Sequence, residues 1–277
     1  MKTILLTGAS TGFGRSLAEE ALSRGHQVAL AVRDPSKVAD FTERYPEQTI
    51  AIRFDLMIKE DAERAISETI ARFGSLDVLI NNAGYGLLAP LEGTTDYQLE
   101  RNLTTNFTGP LRLIRATLPT FREQKCGHVI NLSAIAAYAN HSGFAVYGGA
   151  KAALDAACEA VAEECVPFGI HFTAVIPGPF RTDFIARSLD TEQATTLSEY
   201  APTVGKFASI LQRMNGRQPG DPDKAAKAIF DLLELEKPPS RLLLGAYAYD
   251  RFGKKLATLE AEMKATRELG WPMDFTT

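Results

Sequence analysis

Tyr147 and Lys151 lie four residues apart in YGGAKAAL, an alanine-rich stretch with the composition of a helix. On a helix that spacing puts both side chains on one face, the ammonium beside the phenol. A phenol titrates at about 10 and is a poor base at neutral pH. A neighbouring positive charge favours the phenolate, and lowering the pKa by about 3 corresponds to about 4 kcal/mol. A phenol tuned in this way can exchange a proton with an oxygen whose bond to carbon is changing. Upstream, the apolar run HVINLS ends in Ser133, a hydroxyl within reach of the same chemistry if the chain returns it to that helix.

A second set of residues has the types that hold a nucleotide. The run KTILLT leads into TGASTGFGRS, with Gly8, Gly12 and Gly14 before a helical pattern and Ser10 and Phe13 between them. Glycines at a strand-to-helix turn let the backbone approach a pyrophosphate, and the free N–H groups of the helix start supply donors. The spacing is GxxxGxG, where the commoner dinucleotide fingerprint is GxGxxG. The next strand ends in AVRDP. A carboxylate at its tip would bind a ribose 2′-OH, whereas Arg33 there can pair with a 2′-phosphate, so NADP(H) is favoured over NAD(H). Asp34 fits the cap of a helix that carries Pro35 in its first turn. Asp55, closing the third strand, is either an acceptor for an adenine amino group or a helix cap. NNAG, Asn81 to Gly84, closes the fourth strand with residues small enough for a backbone to lie flat against adenosine.

The elements that must position these residues follow from the pattern. KTILLT, QVALAV, TIAIRFD, DVLINNAG, HVINLS, IHFTAVIPG and RLLLGAY are short and continuously apolar, as strands covered on both faces are. Stretches with apolar residues at helical spacing alternate with them. The alternation predicts one α/β domain over residues 1–277, a Rossmann-type doubly wound, mostly parallel sheet of about seven strands. Residues 184–222 interrupt it and are expected to form a substrate lid. Residues from about 249 to 277 are expected to form a C-terminal helical extension.

Composition excludes several classes. The net charge is −4 and no basic run stands out, so no nucleic-acid partner is expected. KTILLT is too short for a signal peptide or a membrane span. Three cysteines, odd in number and without paired spacing, suit a reducing cytoplasm, and the four histidines form no ligand spacing, so no metal is expected.

TGASTGFG, NNAG, Asn106 in TTNFTGP, Tyr147 to Lys151 and the PGPFRT run from Pro177 to Thr182, taken in this order and at these intervals, resemble the short-chain dehydrogenase/reductase family. The resemblance spans roughly residues 1–183 and the last strand. It implies hydride transfer between a nicotinamide and a secondary alcohol or carbonyl carbon. Tyr147 would be the acid/base, Lys151 its tuner and a ligand of the nicotinamide ribose, and Asn106 the holder of a relaying water. Thr182, after Pro177 and Gly178, would fix the carboxamide, and Asn82, Ala83 and Gly84 would lie along the cofactor. The resemblance also implies a homo-oligomer, dimer or tetramer, built through the helix that carries Tyr147.

The family has a serine thirteen residues before the tyrosine, bonded to the substrate oxygen. Here that position is Ala134, and Ser133 stands fourteen before. Two expectations stay open: a longer loop or bulged strand end brings Ser133 into the role, or the donor is missing. Alternation along a strand opposes the first, because neighbours point to opposite faces. The main expectation is an NADP(H)-dependent alcohol dehydrogenase or carbonyl reductase. The alternative, motivated by Ala134, is an NADP(H)-binding regulatory protein with weak or lost catalysis.

Overall fold

A computed structural model describes residues 1–275. Seven parallel strands form the central sheet: β1 (Thr3–Thr7), β2 (Gln27–Val32), β3 (Thr49–Arg53), β4 (Val78–Asn81), β6 (Gly127–Leu132), β7 (Ile170–Pro177) and β9 (Arg241–Leu244). Their order is β3-β2-β1-β4-β6-β7-β9, so the winding reverses between β1 and β4. Each apolar run singled out in the sequence contributes one of them.

Both faces of the sheet are covered, which is why its strands carry no polar alternation. Ile4 and Leu6 of β1 point to one side, Leu5 to the other. The first side packs on α1 (Gly12–Ser23), α2 (Ala39–Arg44) and α8 (Pro222–Asp231) through Leu17, Phe41, Ile229 and Phe230. The second packs on α3 (Asp61–Phe73), α5 (Gly109–Gln124) and α6 (Ala145–Cys165) through Ile66, Leu113, Phe121 and Leu154. Cys158 and Cys165 are buried in this second layer as free thiols.

Three features bear on the site. First, α4 (Asp96–Leu103) runs into α5 through a π-helical turn, Thr104–Thr108. Such a turn rotates the side chains that follow it and recurs at functional sites. Gly109 follows because a Cβ there would fall 2.8 Å from the Thr104 carbonyl oxygen and 2.9 Å from Leu56 Cβ.

Second, the segment expected as a lid contributes Phe184, Leu189, Phe207 and Leu211 to the border of a cleft, and part of it is paired to the body of the protein. Its β8 (Leu189–Asp190) pairs in parallel with β5 (Gly86–Leu87), a two-stranded sheet absent from the sequence expectations. The lid lies so close that a Cβ on Gly86 would fall 2.6 Å from Leu189 Cδ1 and 2.8 Å from Phe184 Cζ. The lid's remaining helix, α7 (Lys206–Met214), places Phe207 and Leu211 against the same apolar cluster.

Third, the C-terminal helix, α9 (Ala246–Gly270), begins three residues earlier than the sequence suggested. Gly245, at φ +84°, turns the chain directly out of β9 into it. Among the described residues, no helix is long and apolar enough to cross a membrane.

Candidate active site

A cleft of about 1020 Å³ opens at the carboxyl ends of the strands, beside the reversal between β1 and β4. Parallel sheets bind ligands at such switch points.

Its first wall is the glycine turn. Gly8 (φ +74°) and Gly12 (φ +54°) take left-handed conformations that disfavour a side chain. Gly14 is excluded by space: a Cβ there would lie 2.1 Å from the Gly8 carbonyl oxygen and 2.5 Å from Asn82 Nδ2. Asn82 Nδ2 donates to the carbonyls of Thr7 (2.8 Å) and Gly8 (3.1 Å). The Thr7 hydroxyl in turn accepts from the backbone N–H groups of Asn82 and Ala83, each at 3.0 Å. The glycine turn and NNAG are therefore one hydrogen-bonded unit, and Ser10, Phe13, Ala83 and Gly84 face the cleft from it.

At the rim, Arg33 is exposed at the end of β2 and makes no ion pair among the described residues. Asp34 is turned to another task, accepting from the backbone N–H (3.1 Å) and hydroxyl (2.7 Å) of Ser36, bonds that hold its carboxyl below the usual range. Asp55 borders the cleft and accepts from the Met57 N–H at 3.0 Å, closing a turn in the loop before α3; it does not cap a helix, the alternative weighed for it.

The second wall centres on Asn106, in the π-helical turn. Its Nδ2 donates to the carbonyls of Tyr85 (2.9 Å) and Asn102 (3.2 Å), which leaves Oδ1 buried without a partner. A Cβ built on Gly84 would lie 2.7 Å from that Oδ1 and 3.4 Å from Lys151 Nζ, so the three residues converge on one point. Only glycine at position 84 leaves that point open.

The third wall is the end of β6 facing α6. Lys151 Nζ donates to the Leu132 carbonyl at 2.7 Å. Ala134 is extended (φ −157°, ψ 153°), and its methyl packs in the cluster that holds Leu88, Phe144 and Tyr147. Ser133, one residue earlier, points the other way: its hydroxyl donates to Asp155 Oδ2 at 2.5 Å, in a buried setting. The expectation that Ser133 supplies a hydroxyl to the cleft is corrected by this geometry. Just past the end of β6, the Ser133 N–H is bonded to the Val175 carbonyl at 2.8 Å and to the Asn131 carbonyl at 3.0 Å, and Ala134 remains extended.

The electrostatics also depart from expectation. Burial, followed by the Asp155 carboxylate, pushes the Tyr147 phenol above its ordinary range. Burial pulls Lys151 down to about 8 despite Asp155, which acts in the opposite sense. Burial raises Asp155 itself, against the bonds and charges of Ser133, Lys151, Tyr138 and Arg241. Desolvation disfavours every charge here, and the expected lowering of the phenol by the Lys151 ammonium is absent: burial and Asp155 both act to raise it. Tyr147, Lys151 and Asp155 follow one another at four-residue intervals along a single face of α6.

The remaining wall is apolar. The Tyr147 ring meets Phe144 edge-on (5.2 Å between centroids) and tilts against Phe184 of the lid (6.0 Å). His141 stacks on Phe207 (4.5 Å, 12°), and its Nε2 is hydrogen-bonded to the Tyr247 hydroxyl at 3.1 Å. Pro177, Gly178 and Thr182 line the cleft after β7, with Thr182 Cβ only 3.3 Å from where a Gly12 Cβ would stand. Tyr138 is turned away, its hydroxyl accepting from Arg241 Nε at 3.1 Å, and Arg181 donates to the Gln218 carbonyl at 3.2 Å. Two contributors were missed in the sequence. Asp155 carried a signal, the continuation of the Tyr147–Lys151 spacing; Tyr247, arriving from α9, carried none.

Taken together, the turn built on Gly8, Gly12 and Gly14, the arginine at its rim and the unpartnered Asn106 Oδ1 fit a dinucleotide.

A family model described as short chain dehydrogenase matches residues 2–193. The chain is 32% identical to "Oxidoreductase BOA17" of Botryotinia fuckeliana over 97% of each chain. It is 31% identical to 3-ketodihydrosphingosine reductase of Bacteroides thetaiotaomicron over 94% of each. A crystal structure of a short-chain dehydrogenase from Streptomyces avermitilis superposes with a TM-score of 0.91 at 36% identity, covering 99% of both chains.

The Gly14 contact gives a stability test. Gly14→Ala forces the turn away from two backbone-anchored groups, and overpacking of this kind costs about 1–3 kcal/mol. A lowered urea midpoint is expected; an unchanged midpoint contradicts the close approach of α1 to Asn82.

Proposed function

The chain belongs to the short-chain dehydrogenase family and is an oxidoreductase, and from that premise we propose that it reduces a bulky, apolar carbonyl compound with NADP(H), the matching secondary alcohol being the product. The observation that carries the proposal is the convergence of Lys151 Nζ and the unpartnered Asn106 Oδ1 beside Gly84, on the helix face that also bears Tyr147.

A bound nicotinamide supplies the hydride. The chain supplies the proton. Tyr147 is protonated at neutral pH, because burial and Asp155 both oppose its anion, so it is ready to donate to a carbonyl oxygen as that oxygen gains charge. Lys151, drawn down to about 8, exchanges protons near neutrality and can restore the one Tyr147 gives up. Asn106 Oδ1 has a free acceptor site for a water that links Lys151 to solvent.

Substrate character follows from the walls. Phe144, Phe184, Leu189, Phe207 and Leu211 gather around Tyr147, and Ala134 adds a methyl at the position where the family resemblance implies a serine. The substrate is therefore held by apolar fit and by one phenol. The keto-reductase name of a relative at 31% identity agrees with a carbonyl substrate. Arg33, exposed and unpaired at the rim while Asp34 is bonded to Ser36, supports a 2′-phosphate and hence NADP(H). Ala134 also motivates the alternative, a regulatory protein that binds NADP(H) without turnover. NADPH binding with no oxidation across aldehydes, ketones, steroids and quinones would establish that alternative.

Three outcomes are expected. Tyr147→Phe should abolish turnover, by at least a hundredfold in kcat, while leaving NADPH affinity in a fluorescence titration within about twofold; normal turnover refutes the proton-donor role. Ser133→Ala should leave kcat unchanged on an active substrate, whereas Ala134→Ser, which adds a donor facing the cleft, should raise it by roughly tenfold or more. A loss of activity in Ser133→Ala with the fold intact by circular dichroism would return Ser133 to the site. Arg33→Ala should weaken NADPH by about tenfold and NADH little, and equal losses for both would remove the 2′-phosphate argument.

A further inference from the structure

α9 is 25 residues long, yet its tertiary contacts are confined to its first turns. At the base Ala248 is buried, Phe252 packs on Tyr138 with ring centroids 5.0 Å apart, and Arg251 donates to the carbonyls of Ala139 (3.0 Å) and Asn140 (3.2 Å). From Leu256 to Gly270 every residue is exposed. Leu256, Leu259 and Met263 are 53%, 46% and 64% exposed, a density of large apolar side chains unusual for a solvated helix. Helices of about 15 residues without packing are marginal in water, so this arm needs a surface to lie against.

The arrangement of the side chains specifies that surface. Tyr249, Phe252, Leu256, Leu259 and Met263 recur at intervals of three and four, the a and d positions of two heptads. The stripe starts against the chain's own body at Phe252 and continues past its edge without a turn. On this register Lys255 and Glu262 occupy g positions, and Glu260 and Arg267 occupy e positions. In a parallel pair of helices each g residue faces the following e residue of the partner. Lys255 then meets Glu260, and Glu262 meets Arg267, opposite charges in both cases. Lys255, Glu262 and Arg267 make no ion pair within the described residues. Glu260 bonds Lys264 at 2.7 Å and keeps a second carboxylate oxygen. A helix lying on an anionic membrane would instead flank its apolar stripe with basic residues; here the flanks carry both signs.

We propose that α9 is a dimerisation arm, in which Leu256, Leu259 and Met263 pair in parallel with the same residues of a second copy of this chain and the flanking charges set the register. The pairing is separate from the α6 face that family resemblance suggests, and it does not depend on the catalytic assignment. Because Tyr247, in the first turn of α9, lines the cleft, the arm's base is also part of the site wall.

Light scattering on the full-length protein, eluted from a sizing column, tests the proposal. The three exposed positions are changed together, Leu256→Glu, Leu259→Glu and Met263→Glu, and the particle mass should halve relative to wild type. Equal masses overturn it. Lys255→Glu should raise the dissociation constant at least tenfold, and adding Glu260→Lys should restore it; no restoration overturns the parallel register. With the exposed Cys126 changed to serine, Leu259→Cys should oxidise to a covalent dimer, a result that does not require the charge variants to fold. Co-sedimentation of the wild-type monomer with phosphatidylglycerol vesicles, lost in the triple variant, would assign the stripe to a membrane and also overturn the proposal.

Discussion

One side-chain amide, Asn82 Nδ2, accepts the task of satisfying two carbonyl oxygens where β1 leaves the sheet, and the cofactor side of the cleft depends on it. The Thr7 and Gly8 carbonyls point beyond the last strand pairing, and buried carbonyls without donors are costly. By donating to both, Asn82 draws the end of β4 against the glycine turn. The approach is so close that a Cβ on Gly8 would lie 2.9 Å from Ala83 Cα. The glycines are thus required by packing between two strand ends before any phosphate is considered. A phosphate group would meet a turn already shaped by that packing.

On the other side of the cleft the governing term is desolvation. Tyr147, Lys151 and Asp155 stand on one buried face of α6, and each is shifted first by burial, toward its neutral form. A pairwise picture, ammonium beside phenol, predicts an acidic phenol; the buried face predicts a protonated phenol and a lysine near its titration point. The second set of charge states leaves a proton on Tyr147. Lys151 Nζ is bonded to the Leu132 carbonyl at 2.7 Å, which leaves two of its three donors for other partners.

The sheet, its seven strands and the single domain were legible because strands buried on both faces are continuously apolar, and each such run became a strand. The glycine turn, NNAG and the Tyr147–Lys151 spacing were legible because each needs a particular residue type at a fixed local interval. What could not be read is non-local. The pairing of Gly86–Leu87 with Leu189–Asp190 joins segments about a hundred residues apart and too short to show a period. Tyr247 enters the cleft only because Gly245 redirects the chain after β9. Asn106 was placed by resemblance, but its orphaned oxygen results from a π-helical turn that no local spacing announces.

Ser133 and Ala134 show how far a strand's geometry can dictate chemistry. To present its hydroxyl to the cleft, Ser133 would have to shift by one position. Its N–H would then leave the Val175 carbonyl, and Asp155, buried and already lacking a partner for Oδ1, would lose the donor on Oδ2. Leaving a buried polar group unsatisfied costs about 1–3 kcal/mol, comparable to what a substrate hydrogen bond would return. The hydroxyl therefore stays with Asp155, and the wall opposite Tyr147 remains a methyl group. The surface that faces Tyr147 is thus apolar, from Ala134 and Phe144 to Phe184 and Phe207, and against such a surface a single methylene is worth only about 1–3 kcal/mol.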